Sequence, residues 1–272
     1  MNSNEFEVKR DGLYAILNEL ASVAVAYSGG VDSTYLLAAC LEVLGPDQVL
    51  AVTADSLTYP AGEKAGAQKM AQQLGVRLRL INTKELDDPC FASNPPDRCY
   101  YCKAELFKEI WAIAKQEGLQ SVVYGATQDD LGDYRPGMRA AQEHGARAPL
   151  LEAGLTKSDV RELSRRMGLP TWDKPALACL ASRFPYGMTI TAPRLRQVNE
   201  AEDFLRQELG LRQLRVRHHD SVARLEVEPE DMAQFTEEKT RQRVVTALKK
   251  LGYTYVTLDL TGFRTGSMNE VL

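Results

Sequence analysis

Three groups of residues have the types and spacing to do chemistry. The first is Ser28-Gly29-Gly30-Val31-Asp32-Ser33, which follows the apolar run Val23 to Tyr27 and opens a helical pattern. A glycine-rich turn between strand and helix offers successive backbone N–H groups, and the positive end of the helix, to an anion. The hydroxyls of Ser28 and Ser33 add donors. The Asp32 carboxylate is a candidate ligand for the Mg²⁺ that accompanies phosphate charge. The plain alternative is a strand-to-helix turn without a ligand, and the stretch is not the Lys-containing Walker loop.

The second group is sulfur. Five cysteines, Cys40, Cys90, Cys99, Cys102 and Cys179, are an odd number without an export signal, which favours thiols, metal ligands or redox groups over a disulfide framework. Arg98-Cys-Tyr-Tyr-Cys-Lys103 sets two thiols three apart where a loop enters a helix, suited to one metal or to a redox pair. Cys179, in an irregular stretch, is the natural third ligand. A structural zinc needs a fourth from Cys90, His144, His218 or His219, whereas three thiolates suit a [4Fe-4S] cluster with one iron open. Cys40, on an apolar helix face, reads as core.

The third group is a basic patch. Arg212, Arg215, Arg217 and Arg224, with His218 and His219, face a single acid, Asp220, between residues 212 and 224. Arg215 and Arg217 share a strand face, and guanidinium groups grip phosphate or carboxylate with paired hydrogen bonds. They are candidate substrate residues, against the alternative of exposed strand arginines paired with Glu226 or Glu228. Glu200 and Glu202 lie on a helix, where acids commonly form a solvated face; Glu202 is carried as a candidate substrate contact.

Positioning these groups falls to alternating strands and helices. Strands are expected at Val23–Tyr27, Val49–Thr53, Val76–Ile81 and Ser121–Gly125. Helices are expected over 12–20, 34–44, 62–74, 101–117 and 156–168. That order predicts an α/β fold, a doubly wound parallel sheet with ligands at the carboxyl ends of its strands. Beyond the irregular stretch Pro170 to Pro185 the pattern changes: helix 193–209, strands 213–216 and 223–227, helix 231–251 and strand 253–260. This predicts a smaller α+β domain, with residues 1–186 and 187–272 as the two domains. A balance of 33 Lys+Arg against 37 Asp+Glu argues against a nucleic-acid surface, and no window is apolar enough for a membrane span. The expected compartment is the cytoplasm.

The loop Ser28-Gly-Gly-Val-Asp-Ser33 resembles the pyrophosphatase loop of the N-type ATP pyrophosphatases, of adenine nucleotide alpha hydrolase-like fold. These enzymes cut ATP to AMP and pyrophosphate to activate an oxygen by adenylation. The resemblance covers about residues 20 to 185. It implies that Ser28, Gly29, Gly30, Asp32 and Ser33 hold pyrophosphate and that Thr53 and Asp55 sit where adenosine binds. It makes Gly125-Ala-Thr127-Gln-Asp-Asp130 a second nucleotide loop and Lys157 a phosphate contact. Asp129 and Asp130 are candidate metal or pyrophosphate-side groups, or caps.

The resemblance narrows to the LarE family of pyridinium-3,5-biscarboxylic acid mononucleotide sulfurtransferases, which contribute to the nickel-pincer nucleotide cofactor of lactate racemase. It rests on Ala26-Tyr-Ser-Gly-Gly-Val-Asp-Ser33, Cys179-Leu-Ala-Ser-Arg-Phe-Pro-Tyr-Gly187, Val216-Arg-His-His219, Ala223-Arg-Leu-Glu226 and Gly262-Phe-Arg-Thr-Gly-Ser-Met-Asn-Glu270. In one branch a single cysteine matching Cys179 gives up its sulfur and becomes dehydroalanine; in the other, three cysteines hold a [4Fe-4S] cluster. Having Cys99, Cys102 and Cys179, the chain resembles the cluster branch. The implied reaction adenylates a substrate carboxylate with ATP and Mg²⁺ and lets sulfur displace AMP, with Lys103 and Arg183 as candidates for stabilising charge. The family also implies a homo-oligomer through the second domain, in which Val244, Leu248 and Leu251 serve either that contact or the core. Rival readings are a tRNA thiolase with the same loop and cluster, an amide-forming synthetase, and a nucleotide-sensing protein without turnover.

Overall fold

The computed structural model describes residues 3–132, 135–175, 178–264 and 266–271, so Thr265 of the closing motif lies outside the described residues. In chain order the elements are α1 (Ser3–Leu20), β1 (Val23–Ala26), α2 (Val31–Leu44), β2 (Val49–Asp55), α3 (Ala61–Gln73), β3 (Arg77–Asn82), α4 (Pro89–Ala92), α5 (Arg98–Gln116), β4 (Ser121–Tyr124), α6 (Pro136–Glu143), α7 (Pro149–Glu152), α8 (Lys157–Arg166), α9 (Ala192–Leu209), β5 (Leu214–His219), β6 (Val222–Val227), α10 (Glu238–Lys250) and β7 (Tyr255–Leu258). The chain forms two compact units, Met1–Glu85 with Asp97–Leu177, and Leu86–Pro96 with Ala178–Leu272.

The first unit is a parallel sheet in the order β3-β2-β1-β4. Strands β1, β2 and β4 are largely buried on both faces, as continuous apolar runs require, while the edge strand β3 is largely exposed. Val23, Val25, Val49 and Ala51 pack with Leu13, Leu17, Leu36, Leu37 and Val160 of α1, α2 and α8. Ala24, Leu50, Val52 and Val122 turn to the other face, against Phe107 and Ile110 of α5. Each large apolar side chain so buried contributes about 1.5–3 kcal/mol. The α/β expectation is met. Cys40 is fully buried, as its apolar helix face indicates.

The second unit is a three-stranded sheet in the order β5-β6-β7, with β5 antiparallel and β7 parallel to β6. Its core joins Leu214, Val216, Leu225 and Val227 to Ala201 and Leu205 of α9 and Val244 and Leu248 of α10. Val244 and Leu248 are therefore core residues, at 2% and 0% exposure. The division expected near residue 186 is drawn differently by the contacts, because Asn94 ties the earlier segment to the later one. Its side-chain amide donates to the carbonyls of Phe184 and Pro185, at 3.3 and 2.7 Å, and its carbonyl accepts from Gly187 N–H. The single helix expected over 231–251 is broken: Pro229–Thr236 is a 3-10 helix, and α10 starts anew after an extended Glu237 whose carboxylate accepts from the Thr240 hydroxyl at 2.6 Å.

Candidate active site

The carboxyl ends of β2, β1 and β4 lie side by side, so the loops that follow them share one edge of the sheet. After β1 the chain turns through Ser28, Gly29 and Gly30 into α2. Gly29 has φ +67°, and a Cβ there would lie 2.8 Å from Ala67 Cβ, so a larger residue would be both strained and blocked. At the end of β4, a Cβ on Gly125 would lie 2.9 Å from Ser33 N, which is how closely the second loop approaches the first. The Ser33 hydroxyl accepts from Ser28 N–H at 3.2 Å and lies 3.0 Å from the Ser28 hydroxyl, so these side chains also close the turn on itself.

The carbonyls of Tyr27, Ser28 and Gly29 are occupied from outside the turn. Tyr27 C=O accepts from the Thr53 hydroxyl at 2.8 Å, Ser28 C=O from the Tyr59 hydroxyl, and Gly29 C=O from the Lys174 ammonium at 3.0 Å. Lys174 also lies 2.5 Å from the Glu63 carboxylate. The Thr53 hydroxyl, expected at adenosine, is thus bonded to the backbone just after β1. Asp55 pairs with Lys64 at 2.7 Å and keeps 37% of its side chain exposed.

Electrostatically the edge is mixed. Burial, together with the neighbouring Asp130, pushes the Asp32 carboxyl up to about 6, against Lys157, Arg161 and Arg135. Burial would raise Asp130 too, but the Thr127 amide, Arg135 and Lys157 outweigh it and hold it below the usual carboxylate range. Asp130 accepts from Thr127 N–H at 2.9 Å and from its hydroxyl at 3.1 Å, and it lies 3.1 Å from both Lys157 Nζ and Arg135. Asp129 accepts from Lys157 N–H at 2.7 Å at the start of α8, a capping role. The structure thus gathers Asp32, Gly125, Thr127, Asp130 and Lys157 around the loop. That arrangement offers N–H donors, one cation and one carboxyl of raised pKa to a phosphate chain.

Cys99 and Cys102 stand a helical turn apart in the first turn of α5, the former exposed and the latter half-buried. Lys103, also exposed, lies along α6, where a Cβ on Gly137 would meet its Cγ at 2.9 Å. Cys179 belongs to the second unit and is exposed. It caps a short 3-10 helix, its sulfur accepting from Ala181 N–H at 3.4 Å. Among the described residues no group of three or more His, Cys, Asp or Glu is arranged to hold a metal ion.

Four candidate site residues, Arg183, Glu202, Arg215 and Arg217, are buried in the second unit. Arg183 and Glu202 are both wholly buried and bonded to each other at 2.7 and 3.0 Å. Glu202 also accepts from Val216 N–H on the edge strand β5, and Arg183 donates to the carbonyls of Ala178 and Cys179. Arg217, 4% exposed, donates to Glu226 at 2.7 Å and to the Ser267 hydroxyl at 2.8 Å. Arg215, equally buried, stacks on Phe263 at 5.0 Å. The spacing-two inference holds, since Arg215 and Arg217 do share a face, but that face is covered by the segment around Ser267 and is not an exposed patch. Sequence reasoning passed over Tyr59, Glu63 and Lys174, which carry no motif.

A family model described as NAD synthase matches residues 13–98. Similarity to an argininosuccinate synthase of Haloarcula marismortui is partial, 29% identity over 55% of this chain and 38% of that one. Two relatives run nearly end to end. An uncharacterised protein of Synechocystis is 43% identical over 98% of both chains. The pyridinium-3,5-bisthiocarboxylic acid mononucleotide synthase of Lactiplantibacillus plantarum is 42% identical over 97% of this chain and 95% of its own. Identity sustained along both units, with a phosphate loop built as described, makes this chain a member of the pyridinium-3,5-bisthiocarboxylic acid mononucleotide synthase (LarE) family of PP-loop proteins.

Proposed function

We propose that this chain uses ATP to convert the carboxylates of pyridinium-3,5-biscarboxylic acid mononucleotide into thiocarboxylates, a step toward the nickel-pincer nucleotide cofactor of lactate racemase. The observation that carries the reading is the phosphate loop bordered by Asp32, Asp130 and Lys157, in a chain similar over nearly its full length to a synthase of that name.

A substrate carboxylate oxygen attacks the α-phosphorus of ATP. The new O–P bond forms as the bond to pyrophosphate breaks, giving an acyl adenylate. The N–H groups at the start of α2 and the Lys157 ammonium take up charge on the departing pyrophosphate. Mg²⁺, when bound, would offset further phosphate charge, and Asp32 is the residue to hold it. A sulfur nucleophile then adds to the activated carbonyl, a C–S bond replaces the C–O bond, and AMP leaves.

Cys99, Cys102 and Cys179 are the residues to hold a [4Fe-4S] cluster, which when bound would supply that sulfur from an iron without a protein ligand. Support lies in the donor chemistry: three thiols outside the core, two of them one helical turn apart. The second reading makes Cys179 the donor. Its sulfur attacks the carbonyl, and elimination across Cα–Cβ then releases the thiocarboxylate and leaves dehydroalanine. The exposure of Cys179 supports it. A cytoplasmic homo-oligomer completes the proposal.

The test is anaerobic purification with iron and sulfide analysis, followed by turnover with MgATP and the dicarboxylate mononucleotide. AMP and pyrophosphate should appear, and release of ADP and phosphate would overturn the reading. With a cluster, Cys99→Ala, Cys102→Ala and Cys179→Ala each lose iron and multiple turnover. With a sacrificial thiol, only Cys179→Ala is dead, and the spent protein is lighter by H₂S on mass spectrometry.

A further inference from the structure

The phosphate loop contains two adjacent glycines, and its Ser28 and Gly29 carbonyls are held by side chains from elsewhere in the unit. A trans peptide keeps its C=O and N–H on opposite sides, and no peptide bond described here is cis. Whatever fixes a carbonyl of the loop therefore fixes the direction of the next residue's N–H. The Ser28 carbonyl shares its peptide with Gly29 N–H, and the Gly29 carbonyl with Gly30 N–H, which donates to the Ser28 hydroxyl at 3.4 Å, a long bond that a phosphate oxygen can replace. Left alone, peptides flanking Gly29 and Gly30 are easily turned. Either one reversed would direct carbonyl lone pairs, not a proton, at an incoming phosphate.

Tyr59 and Lys174 meet these two carbonyls. Tyr59 lies in the loop before α3 and donates its hydroxyl to Ser28 C=O. Lys174 lies beyond α8 and donates to Gly29 C=O at 3.0 Å while the Glu63 carboxylate sits 2.5 Å from the same ammonium. Burial raises the Tyr59 hydroxyl above its ordinary range, so it stays a donor. With its charge matched by Glu63, Lys174 is a holder of the loop, in contrast to Lys157, which faces Asp130 at the anion side.

We propose that Tyr59 and Lys174, the latter anchored by Glu63, are positioning residues that clamp the Ser28 and Gly29 carbonyls outward and so aim the Gly29 and Gly30 N–H groups at the pyrophosphate part of ATP. This rests on the ATP reading given above. It adds that the anion site is preorganised from outside the motif, by residues 31 and 145 positions away from the carbonyls they hold. Since the clamp touches only the phosphate-binding backbone, it affects phosphate recognition and leaves the nucleoside unaffected.

The experiment is calorimetric titration of the full chain and of the Tyr59→Phe, Lys174→Met and Lys174→Arg variants with adenosine, MgATP and inorganic pyrophosphate. Tyr59→Phe and Lys174→Met should each bind ATP and pyrophosphate about tenfold more weakly, the effect of one lost hydrogen bond of about 1.4 kcal/mol. Adenosine affinity should stay at the wild-type value, and Lys174→Arg should recover most of the loss. An equal loss for adenosine would show a general structural role and overturn the clamp, as would unchanged pyrophosphate affinity in both variants. Wild-type protein that binds neither ATP nor pyrophosphate would instead remove the ATP reading and the clamp with it.

Discussion

Asp32 combines two environments that pull its chemistry in opposite directions. It stands in the first turn of α2, where a negative charge is favoured, yet burial and Asp130 push its carboxyl up to about 6. A raised acid pKa in the folded state means that ionised Asp32 opposes folding at neutral pH, by up to about 3 kcal/mol on linkage, and that the penalty fades as pH falls through about 6. A divalent cation has to compete with that proton. Affinity for Mg²⁺ with ATP should therefore weaken as pH drops below about 6, approaching tenfold per unit. Asp32→Asn should lose this pH dependence along with most metal affinity, while melting no lower than wild type at pH 7. Titration calorimetry and thermal melts across pH check it, and a variant that keeps the wild-type profile would remove Asp32 from the metal site.

At the scale of elements, the edge of β5 shows why a residue type does not fix a role. Glu202 on α9 reads as a surface acid, but it takes the Val216 N–H of the edge strand and both arms of Arg183. Burial works against its charge, yet Arg183 and then Arg206 hold its carboxyl down at about 2. Because that pKa is depressed, the stability it contributes is present above the unfolded carboxylate range and is lost as pH falls from about 4 toward 2. Arg183→Met or Glu202→Gln alone should destabilise the second unit by about 3–5 kcal/mol, since each strands a buried partner. Arg183→Met with Glu202→Leu should recover much of that loss. Denaturant melts of the three variants decide it, and full stability in either single variant would refute the pairing. Pyrophosphate binding by the first unit should be unchanged throughout.

At the scale of the whole molecule, the second unit is built from two pieces of chain. Residues 86–96 bring it Phe91, 1% exposed, and Asn94, fully buried with positive φ and bonded to the carbonyls of Phe184 and Pro185. A fragment of residues 178–272 should therefore melt well below the same fragment supplied with a peptide of residues 86–96, by circular dichroism. Equal melting would show that the early segment is not needed. The sequence by itself determined what is local: the strand, glycine turn and helix around Ser28–Ser33, the alternation that makes a parallel sheet, Cys40 as core, and the shared face of Arg215 and Arg217. These follow from periodicity and turn chemistry within a few residues. Only the tertiary structure decided which charges are buried and what the loop leans on. Arg183 meets Glu202, Ser267 covers Arg217, and Tyr59 and Lys174 take the carbonyls beside Gly29. Burial and pairing depend on neighbours brought in from far along the chain, and residue spacing contains no record of those distances.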